Sequence, residues 1–151
     1  MTKLLVLHGP NLHLLGQRQK EIYGAKNLEA VNNDILKEAS KFDFDVTIKQ
    51  SNSESEIIKI ISDSNKSTDY LIFNPAAFTH TSIAIYDTLL ATATKFIEVH
   101  ISNIHNREEF RNKSYFSAIA LGSITGFGSN SYLLAINAIN MHQQRVLTTE
   151  G

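Results

Sequence analysis

Short apolar runs alternate along this chain with longer stretches whose apolar residues recur at helical spacing, and this alternation restricts the possible folds more than any other feature. Residues 3–8, Lys-Leu-Leu-Val-Leu-His, have the length and content of a buried strand. Further strands are expected over 46–50, 70–73, 96–101 and 118–124. Asn27 is a good N-cap for a helix carrying Leu28, Val31, Ile35, Ala39 and Phe42 on one face. Ser53 and Glu56 fit a capping box that opens a helix to about residue 65. Helices are also expected over 79–92 and 129–144, with a short polar helix or turn over 106–113 and a frayed tail from about 145–151. Strands that alternate with helices imply a parallel sheet covered on both faces. Five of them suit an α/β, flavodoxin-like winding, and 151 residues suit one domain, 1–151.

Charge and composition narrow the partners. A net charge of -1 argues against a nucleic acid or membrane surface held by bulk charge. There are no cysteines, which excludes disulfides, a thiol nucleophile and thiolate metal sites. No signal-peptide pattern and no apolar run of spanning length is present, so a soluble cytoplasmic protein is expected. Ten lysines but only four arginines (Arg18, Arg107, Arg111 and Arg145) suggest that arginine is kept for fixed, forked contacts. Arg107 and Arg111 share a face if their stretch is helical.

In open parallel sheets, ligands bind beyond the carboxyl ends of the strands. The polar residues of this chain gather there: Asn11 after the first strand, Gln50 to Asn52 after the second, Asn74 and then His80 after the third, and Glu98, His100, Ser102 and then Arg107 along and after the fourth. Residues two apart share a strand face, so Glu98, His100 and Ser102 point one way and Val99 and Ile101 the other. Burying a carboxylate and an imidazole is costly unless they pair. Such a pair fixes the ring's tautomer and suits a general acid, and it also suits a plain structural hydrogen bond at a strand end.

The segment between Gly16 and Gly24 carries Arg18 and Tyr23. Tyrosine is a poor base at neutral pH unless a nearby guanidinium favours its phenolate. Two readings fit: a solvated surface loop, or a lid that brings in a base. Other signals are weak. Gly126-Phe-Gly128 lacks the context of a dinucleotide loop, Ser123 is not in a nucleophile elbow, and His100 with His105 lacks the further ligands of a metal site. His8 reads as a core or supporting residue and His142 as a surface residue. The scattered aromatics form no base-stacking platform.

Taken together, four blocks resemble the type II 3-dehydroquinate dehydratase family. They are Gly9-Pro-Asn-Leu with Leu14-Leu-Gly; Glu21-Ile-Tyr-Gly24; Asn74-Pro-Ala-Ala-Phe-Thr-His-Thr-Ser82; and Glu98-Val-His-Ile-Ser-Asn-Ile-His105 followed by Arg107 and Arg111. Gly126-Phe-Gly128 adds a weaker fifth, and the match runs from about residue 3 to 140. The resemblance implies a flavodoxin-like fold, no cofactor, no metal, and dehydration of 3-dehydroquinate to 3-dehydroshikimate in the shikimate pathway, through an enolate. It implies a homo-oligomer, a dodecamer built of trimers. By the same resemblance Tyr23 is the base, Arg18 activates it and Arg107 supports its electrostatics. Asn11 holds a water at the enolate, His100 protonates the leaving hydroxyl and Glu98 orients His100. Asn74, Ile101 and Ser102 hold the substrate carboxylate, His80 and Arg111 meet ring hydroxyls, and Asp87 arrives from a neighbouring subunit. His13, Gln17, Gln19, Lys20 and Tyr86 depart from the family's common pattern, which bears on the lid and the subunit contact.

A rival reading, a flavodoxin-like binding module for a phosphorylated cofactor, needs a Gly-rich or hydroxyl-rich loop after the first strand, and Gly-Pro-Asn-Leu-His-Leu-Leu-Gly is apolar instead. Another rival, an assembly protein that kept the fold and lost the chemistry, sits poorly with the intact Arg18, Tyr23 and His100.

Overall fold

The computed structural model describes residues 1–17 and 19–150. Five strands form one all-parallel sheet: β1 (Lys3–His8), β2 (Asp45–Gln50), β3 (Tyr70–Asn74), β4 (Phe96–His100) and β5 (Gly122–Thr125). Their spatial order is β2-β1-β3-β4-β5, the flavodoxin-like order. The order reverses between β1 and β3, so the chain leaves those two strands toward opposite sides and a crevice opens at their carboxyl ends.

Alternation along the strands builds two cores. Leu4 and Val6 of β1 and Ile72 of β3 face α2 (Leu28–Ser40) and α5 (Asn130–Glu150), where they meet Val31, Ile35, Tyr132 and Ile136. Leu5, Leu7, Leu71 and Phe73 face the other way, onto Ile57 and Ile61 of α3 (Glu54–Ser64) and Ile85 and Leu89 of α4 (Ile83–Ala91). Every residue of β3 and β4 is buried. The edge strand β2 alternates between half-buried and exposed positions. Asn27, Ser53 and Ser82 cap α2, α3 and α4 by accepting from the backbone N–H three residues on.

Several boundaries differ from the sequence expectation. The stretch expected as one helix over 79–92 is two pieces: a 3-10 turn Ala76–His80, then α4 from its Ser82 cap. Residues 106–113 do not form a helix; 3-10 turns lie at Ile104–Asn106 and Glu109–Arg111. The fifth strand starts at Gly122 rather than 118. Before it, the Phe116 ring is drawn into the core against Phe73, at 5.9 Å between centroids, and residues Ser117–Ile119 turn before Leu121 N–H reaches the Phe96 carbonyl. The last helix runs through the stretch expected as tail, to Glu150, with Gln143 Nε2 donating to Thr2 Oγ1 at 2.7 Å. One turn of helix, α1 (Lys20–Tyr23), lies in the segment read as loop or lid. No helix among the described residues is long and apolar enough to cross a membrane.

Candidate active site

The crevice at the strand ends holds a cavity of about 100 Å³. Of the residues singled out from the sequence, Asn11, Tyr23, Asn74, His80, His100, Ile101, Ser102, Arg107 and Arg111 all line it. Glu98 lies directly behind His100. Asp87 is exposed on α4 and does not line this cavity. Arg18 lies outside the described residues.

The β1 turn is shaped by close approach. A Cβ at Gly9 would meet the Pro75 carbonyl oxygen at 2.6 Å, so only glycine lets this turn lie against the end of β3. Asn11 follows in the left-handed region (φ 69°), which asparagine tolerates. Asn52 Oδ1 holds the turn from the β2 side, accepting from Asn11 N–H at 3.0 Å and from Gln50 Nε2 at 3.0 Å.

The β4 wall is the most constrained part of the site. His100 Nε2 lies 2.6 Å from Glu98 Oε2. The other oxygen, Oε1, accepts from Ser114 Oγ at 2.8 Å and Ser117 Oγ at 3.0 Å. Glu98 is fully buried and His100 nearly so. Burial pushes the Glu98 carboxyl upward, but the hydrogen bond and charge of His100 and the two serine hydroxyls outweigh it and hold the group below its ordinary value. Glu98 is therefore a carboxylate facing one imidazole nitrogen, and the ring's other nitrogen, Nδ1, is left for chemistry.

Across the cavity stands Tyr23, half-buried against the α2–α5 core. The Arg107 guanidinium lies 5.3 Å from its ring centroid, and Arg107 Nη1 donates to Ser102 Oγ at 3.4 Å. Arg111 Nε pairs with Glu108 at 2.7 Å, an acceptor the sequence reading did not single out. His80 Nδ1 donates to the Lys113 carbonyl at 2.7 Å, so a neutral ring presents an accepting Nε2. Burial lowers the His80 pKa, with the Lys113 carbonyl opposing it and His100 and Arg111 adding to it, which favours that neutral ring. Asn74 is buried; its Oδ1 accepts from Ala76 N–H at 3.1 Å and its Nδ2 donates to Tyr132 Oη at 2.9 Å.

Among the described residues no three His, Asp or Glu side chains gather to hold a metal ion. His8 is a fully buried core residue. His142, expected at the surface, is half-buried with its ring edge-on to Tyr70 at 6.0 Å. Sequence reasoning missed Ser114, Ser117 and Tyr132. Nothing local marks them, because their partners lie 16, 19 and 58 residues away.

Comparison with known proteins agrees with this architecture. The family model described as dehydroquinase class II matches residues 2–140. A 3-dehydroquinate dehydratase of Thermoanaerobacter pseudethanolicus is 48% identical over 146 residues, 97% of this chain and 99% of that protein. One from Legionella pneumophila is 52% identical over 140 residues, 92% of this chain and 97% of that protein. A crystal structure of type II dehydroquinase from Butyrivibrio crossotus has a TM-score of 0.89 at 42% identity, covering 92% of this chain and 97% of that one. The chain belongs to the class II dehydroquinase family. It is accordingly an enzyme of the hydro-lyase class, with dehydroquinate dehydratase activity.

Proposed function

We propose that this cavity removes water from 3-dehydroquinate in two steps, with Tyr23 as base and His100 as acid. The observation that carries the reading is the placement of a buried Glu98–His100 pair and an arginine-flanked tyrosine on opposite walls of one small cavity. Tyr23, as phenolate, takes the proton from the carbon alpha to the ketone. The electron pair moves onto the carbonyl oxygen and forms an enolate, where a water held by Asn11 donates. The guanidinium of Arg107 places positive charge where the phenolate needs it, and Arg18, from the same segment as Tyr23, adds to it. The enolate then reforms the ketone, its electrons make the carbon–carbon double bond, and the beta carbon–oxygen bond breaks. His100 gives its Nδ1 proton to the departing hydroxyl, which leaves as water, and the Glu98 carboxylate stabilises the imidazolium before that transfer.

The carboxylate of the substrate sits between Asn74, Ile101 and Ser102. The Ser102 hydroxyl oxygen accepts from Arg107, which leaves its hydrogen to donate to an anion. His80 and Arg111 meet the ring hydroxyls. No cofactor or metal enters these steps.

The proposal extends to assembly and place: a cytoplasmic homo-oligomer, a dodecamer of trimers, in which Asp87 completes a neighbour's site. Its support is α4. Ile83 and Leu90 are 60% and 51% exposed on either side of the exposed Asp87, an apolar helix surface that a lone subunit leaves in water. The test is turnover of 3-dehydroquinate, followed by the absorbance of the conjugated enone, across a dilution series run beside sedimentation. Enone formation that falls as the oligomer dissociates is expected. No enone at any concentration would sink the activity, and a fully active monomer would sink the shared site.

A further inference from the structure

Behind the cavity, one backbone group sets the direction of a row of buried hydrogen bonds. Ala76 N–H can only donate, and it donates to Asn74 Oδ1 at 3.1 Å. That fixes which end of the amide is which. Asn74 Nδ2 therefore donates to Tyr132 Oη at 2.9 Å, and the phenol's own hydrogen must go elsewhere. Among the described residues, the other hydrogen-bonding neighbour of the fully buried Tyr132 Oη is His8 Nδ1, at 2.8 Å. Nδ1 must then accept, so it carries no proton. The His8 proton lies on Nε2, which is 2.8 Å from Asn32 Oδ1 and donates to it. The row thus joins the ends of β3 and β1 to α5 and α2, and every step is dictated by the one before. Tyr132 and His8 are fully buried and line no part of the cavity; Asn74 does line it.

An amide in this orientation uses one Nδ2 hydrogen on Tyr132 and has a second to offer, and Asn74 lines the cavity. The flipped amide would put its NH₂ against Ala76 N–H, donor to donor, and would turn a carbonyl oxygen toward any anion bound there. We propose that Tyr132 and His8 are positioning residues that lock the Asn74 amide so that it offers an N–H to the carboxylate of the substrate. This rests on the reading of Asn74 as a carboxylate contact. Desolvation keeps His8 neutral, with a pKa lowered to about 4, which is consistent with the same tautomer.

Two measurements test it. Nitrogen-15 NMR of the histidine rings of the wild-type protein at pH 7 should show His8 neutral and protonated at Nε2. A His8 protonated at Nδ1, or on both nitrogens, overturns the row whatever the enzyme's activity. Kinetically, Tyr132→Phe should raise KM for 3-dehydroquinate about tenfold, the scale of one lost buried hydrogen bond, with kcat changed less than about threefold. In an Asn74→Ala background the same substitution should change KM less than about twofold, because the group it positions is gone. An equal rise in both backgrounds would mean that Tyr132 only supports packing, and would overturn the positioning role. If the wild type turned over no 3-dehydroquinate, the proposed activity would fall, and the tautomer alone would decide the row.

Discussion

The two walls of the cavity are built in opposite ways. On the β4 side, Glu98 and His100 sit in a strand with neighbours on both sides, and each Glu98 oxygen is tied by hydrogen bonds. On the other side, Tyr23 ends a single helical turn lying between Gly16 and Gly24, with φ of 85° and 83°. That turn is made by backbone bonds from Ile22, Tyr23 and Gly24, no side chain caps it, and Lys20 and Glu21 stand in solvent. One turn has no stability of its own and persists only through what it packs against. The proposed acid is thus held by the core, whereas the proposed base is carried by a segment with little local structure of its own, the kind of segment that opens at small cost. A site that must admit a substrate and then exclude water needs one wall of each kind.

The sharpest way to break this contrast is Tyr23→Phe. Only the phenol oxygen is removed, and the ring that packs on the core stays. We expect kcat to fall at least about 100-fold, the usual worth of a general base, while the melting temperature stays within about 2 °C. A variant that kept more than about a tenth of wild-type kcat would mean that another group takes the proton. A large loss of stability would mean that the lid is part of the cooperative core.

Acid should act on the buried core behind the cavity rather than on the Tyr23 turn, and leave the contrast intact. The folded His8 ring titrates near pH 4 because it is desolvated, against an ordinary value of 6.5. Between these values the unfolded chain binds the proton more readily, so acid favours unfolding. The contribution is complete above pH 6.5 and is lost as pH falls through about 4, for a total of about 3 kcal/mol. Glu98, held below its ordinary 4.5, adds a further loss at still lower pH. Urea unfolding from pH 7 to pH 4 measures the first part, and ring titration by NMR assigns it. Tyr23→Phe should follow the same curve as the wild type. A flat profile would show that the buried network behind the site does not couple to folding.

The same division explains what could be read from the sequence. The β4 wall was legible because a strand has a strict two-residue period: Glu98 and His100 on one face follow from spacing alone, whereas Ser102, expected on the same face, lies beyond the end of β4. Asn11, Asn74 and Arg107 were legible because they lie at or beyond strand ends, where open sheets place their ligands. The anchors of those residues were not. Ser114 and Ser117 reach Glu98 only because the Phe116 ring between them turns into the core, and that packing choice is not encoded in any local period. The same packing delayed the fifth strand to Gly122, although the residues before it look strand-like. Between Gly16 and Gly24, the helical turn Lys20–Tyr23 carries no cap and no apolar repeat, so nothing in it announced a helix.

The smallest expected effect is the one that best separates lid from core. Gly24 has φ 83° and ψ 173°, a region that side-chain-bearing residues scarcely enter. A Cβ there would meet no atom within 4 Å, so Gly24→Ala adds backbone strain without a clash. Gly16→Ala differs, because its Cβ would also meet the Ala25 carbonyl oxygen at 3.1 Å. Strain at Gly24 costs about 1–2 kcal/mol locally. If the turn opens independently, that cost shifts only the closed fraction of the lid. Then kcat/KM should fall roughly 5- to 30-fold for Gly24→Ala, and the melting temperature should change by less than about 2 °C. Gly16→Ala should fall further, since steric contact is added to strain. A drop in melting temperature of about 5 °C in Gly24→Ala would show that the strain is felt by the whole fold, and that both walls of the cavity belong to one cooperative unit.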